Sequence, residues 1–390
     1  MVLDREFPPD IRVENEIDAL AGAGHDVHIA CYTRKNKPAF EKTERFTIHR
    51  KSIRAFTYKS SVACLTLPFY FSFWKRFLIR ILKNQQFDVI HIHDLPLVGV
   101  GMRLKQLFGI RLVVDLHENW PAFLKISKHA NTLAGRIMSP GFLWRAYEKK
   151  ILRQADAIVV VVNEAKSRIM ELGIEGEMVF VVSNTINLNE LDLSPSRNTR
   201  DETVLYYAGG INYHRGLQQV ILAMHKSGNK RLIFRILGDG SYKEELIKLV
   251  EKLNLKEQVI FHGYQPFRKV MEMLSESDFA LIPHLKTGHT DSTIPHKLFQ
   301  YMYAQKPVIA SDCLPIKRII EETGAGIIYN SGDINALSAV LNRLDTLNYA
   351  EMAHKGKQAV IQKYNWNHDS EILVQMYKRL FDLADKQNPS

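Results

Sequence analysis

Two segments in the second half of the chain hold residues suited to gripping an anion. In TVLYYAGGINYHRGL (203–217) an apolar run ends at Gly209-Gly210, and Arg215-Gly216 opens the next periodic stretch. A strand–loop–helix step of this kind aims free backbone N–H groups and the positive end of a helix dipole at one point. Arg215 adds a charged clamp. In STIPHKLFQYMYAQKPVIASD (292–312), Thr293 and Pro295 signal another helix start, with Lys297 in its first turn. Two helix starts and two cations at one place suit a diphosphate, and hence a nucleotide-activated substrate. The plainer alternative for the first loop is a βα turn whose glycines serve tight geometry and whose Arg215 is solvated. The residues alone leave both open. Gly238-Asp239-Gly240 ends a third apolar run and either admits a base or ribose against bare backbone or is simply a turn; it is no GxGxxG fingerprint.

In the first half, DLHENWP (115–121) crowds polar residues where a strand ends, the usual place for chemistry in α/β folds. His117 there suits a hydrogen bond to a sugar hydroxyl or to a leaving phosphate. Its neighbour Glu118 belongs to the same acceptor-side group. The competing reading is a capping cluster before Pro121. In VIHIHD (89–94), His91 and His93 share one strand face, but no thiol cluster joins them, so a packed histidine pair is expected and no metal. His93, at the strand's end, is placed on the acceptor side.

Charge points to a further partner. Net charge is +10, and Arg45 to Lys83 holds nine Lys or Arg with no Asp or Glu. Within it, LPFYFSFWKRFLIRILK (67–83) reads as a helix with Phe73, Trp74 and Phe77 on an apolar half and Arg76 and Arg80 on the other. A core-packed helix with a solvated basic face would look the same. The acid-free run favours an interfacial helix, with an anionic membrane surface as its partner. Nucleic acid is not expected, because no binding motif accompanies the patch and the aromatics lie on the wrong face to stack on bases.

With 390 residues, 46% of them hydrophobic, the chain suits two domains. Its three cysteines, Cys31, Cys64 and Cys313, are scattered, which fits a reducing compartment. The start MVLDREFPPD shows no secretory pattern, and no run is long and uncharged enough to span a bilayer. A cytoplasmic protein, peripheral on a membrane's inner face, is the expectation.

The elements that must position these residues alternate. Strand-length apolar runs occur at 26–30, 88–92, 111–115, 157–162 and 178–182, with amphipathic helices between, such as 13–23. That pattern reads as a doubly wound parallel sheet. Polar NTINLNELDLSPSRNTRDE breaks it, and a second series follows from Thr203. The expected organisation is a first Rossmann-like domain over 1–184, a linker over 185–202, a second such domain over 203–365, and a terminal helix from 366 to 390. Facing domains would bring both sets of strand ends around one cleft.

EFPPD–helix–GHDVHI, FDVIHIHD, DLHENWP, YYAGGINYHRGL, LGDG, VIFHGY, PHKLFQYM–PVIASD and the closing YNWNHDSEILVQMYKRLF occur in this order. Together they resemble glycosyltransferase family four, retaining enzymes of the GT-B fold, nearly end to end. The resemblance implies transfer of a hexose-type sugar from a nucleoside diphosphate donor to a glycan or lipid-linked acceptor, with no metal or other cofactor. It implies that Arg215 contacts the donor diphosphate, that His117 touches the transferred sugar, and that Gly263 lies in the loop flanking the base. It implies a terminal helix that crosses back to the first domain. This chain departs from the family at Gly210, where an Arg is usual. It departs again at Ser292 and Gln300, which stand where paired glutamates are usual. Lys297 is the expected replacement cation, and Gln300 still offers the ribose hydrogen bonds without charge. The family's glycine pair after the first strand is also absent; Arg12 and Val13 stand there, and Arg12 is expected to bind a phosphate. Other classes on the same architecture are a sugar-nucleotide epimerase, a phosphorylase and a non-catalytic nucleotide-sugar binder.

Overall fold

The computed structural model describes residues 1–126, 135, 138–188 and 201–385. The chain divides into two compact units, 1–184 with 367–390, and 185–366. Of the expected linker, residues 189–200 lie outside the described residues, as do 386–390 of the terminal helix.

The first unit is built on an eight-stranded sheet: β1 (Val2–Leu3), β2 (Val27–Thr33), β3 (Phe40–Lys42), β4 (Phe46–Ser52), β5 (Val89–His93), β6 (Arg111–Leu116), β7 (Ala157–Val160) and β8 (Val179–Val181), ordered β3-β4-β2-β1-β5-β6-β7-β8. Every pairing is parallel except β3 with β4. Strands β6 and β7 are near-continuous apolar runs because both faces of a parallel sheet are covered. No strand is expected from the sequence between 30 and 88, whereas β4 lies there. Its FTIHRKS pattern carries the buried Arg50, which bonds Glu41 of β3 at 2.7 Å.

Helix α1 (Ile11–Gly22) starts where Asp10 caps it, accepting from Val13 N, while Glu14 accepts from Asp10 N at 2.8 Å. Short α2 (Ala55–Lys59) and longer α3 (Phe69–Asn84) follow β4, and α4 (Gly141–Leu152) precedes β7. The C-terminal helix Trp366–Asp385 packs Leu373, Met376 and Tyr377 inward, and the Tyr377 hydroxyl lies 3.0 Å from His91 Nδ1.

The structure corrects the reading of α3. Trp74 is fully buried, Phe77 is buried and Phe73 is half-buried, whereas Arg76 and Arg80 are exposed. Trp74 packs with Tyr32 of β2 and with Tyr70. The aromatic half of this helix is core, because burying three large rings against the sheet outweighs presenting them at a surface.

The second unit has a wholly parallel six-stranded sheet: β9 (Thr203–Ala208), β10 (Leu232–Leu237), β11 (Val259–Gly263), β12 (Phe279–Ile282), β13 (Val308–Ser311) and β14 (Gly326–Tyr329), ordered β11-β10-β9-β12-β13-β14. Helix α5 (Leu217–Ser227) follows β9, and α6 (Lys297–Tyr303) precedes β13. The core gathers Leu205, Tyr207, Val220, Met224, Phe234 and Leu281. In both units the strand order reverses at one point, beside β1 and beside β9, and the crevice there is where such folds bind ligands.

Candidate functional site

In the second unit, the loops leaving β9, β10 and β11 are stitched backbone to backbone. Gly209 N bonds Leu237 O at 2.9 Å, Ile211 N bonds Asp239 O at 2.8 Å, and Gly238 N bonds Gly263 O at 2.7 Å. This explains the glycines physically. A Cβ on Gly238 would stand 2.1 Å from Gly209 O, and one on Gly240 would stand 2.2 Å from Ile211 O. Gly216, at φ 73°, caps α5, where a Cβ would stand 1.7 Å from Pro283 O. Gly210 is different: it is exposed, and a Cβ there meets only Asn212 Nδ2 at 3.4 Å.

Lys297 reaches this loop from α6. Its Nζ lies 3.8 Å from the centroid of the Tyr207 ring, and a Cβ on Gly209 would come within 2.5 Å of it. Tyr207 is held in turn by its hydroxyl, which donates to Gly210 O at 2.8 Å. Burial, and then the nearby charge of Arg215, hold the Lys297 ammonium well below its ordinary range. Arg215 Nη1 lies 3.2 Å from His284 Nε2, and its buried Nε has no hydrogen-bond partner among the described residues. Burial, then Arg215 and Lys297, push His284 well below its ordinary range, so it is the neutral imidazole that accepts from Arg215. Two basic side chains thus share the mouth of this loop, and among the described residues neither pairs with a carboxylate. The sequence reading missed His284 and Tyr207, whose roles depend on pairing across β9 and β12.

The other donor-side residues take ordinary positions. Helix α6 begins at Lys297 itself. Thr293 is extended, at φ −139°, and donates to His289 O at 3.3 Å, so the expected helix start at Thr293 and Pro295 moves to Lys297. Gln300 is half-buried on α6, and Gly263, at φ 65°, ends β11 beside the exposed Tyr264.

In the first unit, β1, β5 and β6 are neighbours, so their carboxyl ends bring α1, His93 and His117 together. Arg12 does not take the phosphate-binding position expected of it. It is not a free cation for a phosphate but is 8% exposed, and its Nη2 lies 3.1 and 3.0 Å from the two oxygens of Asp115. Its Nη1 donates to Val182 O, and its Nε lies 3.1 Å from both Glu16 Oε1 and His117 Nε2. The physical reason is that α1 turns this guanidinium onto a buried carboxylate, and a buried charge needs its partner.

His117 Nε2 also lies 3.0 Å from Asp115 Oδ2 and 3.2 Å from His93 Nδ1. Burial alone would lower its proton affinity, but Asp115 and Asp94 outweigh that, so His117 titrates above its ordinary range. Burial would raise Asp115, yet Arg12 and His117 hold it well below the usual carboxylate range. Glu16 is pushed well above it by burial and then by Asp115. Burial and His91 keep His93 neutral. Glu118 is half-buried near Asp94, which burial raises and which Arg5 bonds at 2.8 Å.

Glu16, His93, Asp115 and His117 hold their ligand atoms within 4.8 Å of one another, a spacing a metal could use. Arg12 nitrogens already stand 3.0 to 3.1 Å from three of the four, so this group fits a fixed organic cation better than an added metal. Sequence spacing would have suggested Glu16, four residues after Arg12 on one helix face. Nothing local pointed to Asp115 as the centre.

Two parallel α/β sheets, each with polar residues at its switch point, define the architecture of a GT-B glycosyltransferase, and the solved neighbours of this chain have that fold. The glycosyltransferase family 4 model matches residues 11–190, and the model described as glycosyl transferases group 1 matches 190–363. The chain belongs to glycosyltransferase family 4. It is 22% identical to an uncharacterised glycosyltransferase, MJ1607, of Methanocaldococcus jannaschii, with 98% of each chain covered. It is 22% identical to the putative colanic acid biosynthesis glycosyltransferase WcaL of Escherichia coli over 56% of this chain and 55% of that one. Anabaena Alr3699/HepE, solved in complex with UDP, is similar in fold, with a TM-score of 0.69, 13% identity, and 97% of this chain and 99% of that chain covered. Glycosyl transfer is therefore the role of this chain. No described helix is long and apolar enough to cross a membrane.

Proposed function

We propose that the chain moves a hexose-type sugar from a nucleoside diphosphate sugar to an acceptor hydroxyl, with retention of anomeric configuration. The observation that carries this reading is the pair Arg215 and Lys297 at the β9 loop, two basic side chains that pair with no carboxylate among the described residues. A diphosphate supplies the missing negative charge. As the bond to the sugar breaks, charge builds on the leaving oxygen, and Arg215 with the Lys297 that the diphosphate protonates stabilises it. No metal and no other cofactor is assigned a step. The UDP held by Alr3699/HepE supports a uridine nucleotide as the first donor to try.

His117 orients the transferred sugar, with His93 and Glu118 on the acceptor side, and Asp115 holds His117 in place. Thr293, Gln300 and the glycines Gly209, Gly210, Gly216, Gly238, Gly240 and Gly263 form the donor side. The acceptor is a glycan or lipid-linked intermediate of surface polysaccharide assembly, a reading supported by the similarity to WcaL.

A thermal-shift screen against nucleoside diphosphates and their sugars tests the binding half, because a ligand of the folded state raises the midpoint. A product assay on the donor that binds, with and without EDTA, then separates transfer from epimerisation. Product without transfer to an acceptor would mean an epimerase. Binding without product would mean a non-catalytic binder, and loss of rate in EDTA would overturn metal independence.

A further inference from the structure

Four exposed apolar side chains of the first unit lie on the segment from α2 to the first residue of α3. Phe56 is 66% exposed, Val62 38%, Leu67 40% and Phe69 47%. The rings of Phe56 and Phe69 meet edge to face with centroids 5.4 Å apart, so the two ends of the segment close into one knob. Thr66 Oγ1 donates to Met138 O at 3.2 Å, which brings the chain leading into α4 alongside, and Phe142 in the first turn of α4 is 62% exposed. The displayed charge there has one sign. Arg54, Lys59 and Arg76 are exposed, as are Arg145, Lys149 and Lys150 of α4. No Asp or Glu occurs from Arg45 to Phe87. The single acid of α4, Glu148, is buried and bound by both terminal nitrogens of Arg168 at 2.9 Å, so it displays no charge.

We propose that this knob docks on an anionic lipid bilayer. Phe56, Val62, Leu67, Phe69 and Phe142 enter the boundary between head groups and acyl chains, while Arg54, Lys59, Arg76 and Arg145 meet lipid phosphates. A protein partner is disfavoured because the buried centre of protein interfaces is depleted of lysine and of unpaired charge. A bilayer surface offers the two environments stacked in one plane, which apolar tips rimmed by cations match. This face is distinct from the buried aromatic half of α3, and the proposal is independent of the reaction catalysed.

Flotation of the full chain with phosphatidylcholine vesicles, with and without added phosphatidylglycerol, tests it. The expected result is binding only to the anionic vesicles, released by salt. Phe56→Ser with Phe69→Ser should lower partitioning by at least about tenfold, and Arg54→Gln or Lys59→Gln by about fivefold each. Lys248→Gln with Lys252→Gln, on exposed positions of the second unit, should leave partitioning unchanged. A Phe56→Trp variant should be quenched by brominated acyl chains. No flotation at low salt would overturn the proposal. So would a Phe56/Phe69 double variant that keeps its unfolding midpoint and still binds, or an equal loss in the second-unit variant.

Discussion

Arg12 Nη2 lies 3.1 and 3.0 Å from the two carboxylate oxygens of Asp115, and both side chains are buried. Asp115 in turn lies 3.0 Å from His117. One buried ion pair therefore sets the charge felt by the histidine at the end of β6. Removing one partner of such a pair leaves the other uncompensated. Arg12→Met is expected to lose about 3–5 kcal/mol in urea unfolding. Because Arg12 opposes the proton on His117, that variant should also titrate His117 at higher pH than the wild type, as read by NMR. A lower value would contradict the geometry.

Glu16 gives a pH dependence of definite sign. Its folded proton affinity is raised, so its contribution to stability is complete below the unfolded carboxyl range, near pH 4.3, and is lost as pH rises towards the folded value. Glu16→Gln, which mimics the neutral acid, should match the wild type near pH 4 and become the more stable of the two as pH rises, by up to about 1.4 kcal/mol per pH unit. Urea unfolding at several pH values measures this, and a gap that closes with rising pH would refute it.

Lys297 is held down by burial and by Arg215, which together disfavour its proton. A bound diphosphate reverses that. Binding should take up protons from the buffer, measured by calorimetry in buffers of different ionisation enthalpy. Lys297→Met should abolish the uptake. Uptake that persists in that variant would show that another group titrates.

The two loop glycines make opposite predictions. Gly210→Arg adds a cation where the family usually has one, and its Cβ meets only Asn212 Nδ2 at 3.4 Å. It should fold normally and bind a nucleoside diphosphate more tightly, by about tenfold for a charged hydrogen bond. Gly238→Ala drives a Cβ to 2.1 Å from Gly209 O at φ 122° and should weaken both stability and binding. Thermal midpoints and titrations of both variants decide the matter.

Much of this was legible in the sequence because it is local. The alternation of strands and helices, the Gly209–Gly216 loop and the cation at Lys297 each follow from residue order within a few positions. What was not legible depended on distant partners. Arg12 finds Asp115 from 103 residues away, and only the adjacency of β1, β5 and β6 brings them together. The α3 aromatics were ambiguous because an amphipathic helix buries its apolar face against lipid or sheet with the same periodicity. Tyr32 of β2, packed on Trp74, decided in favour of the sheet. Strand β4 escaped notice because its buried Arg50 and flanking polar residues hide the alternation.

Arg215 and Lys297 together are proposed to hold the donor diphosphate. Titrating UDP into the wild type, Arg215→Ala and Lys297→Met by calorimetry tests it most directly. Each substitution is expected to weaken binding about 10- to 100-fold, the worth of a charged hydrogen bond. Dissociation constants unchanged in both variants would contradict it.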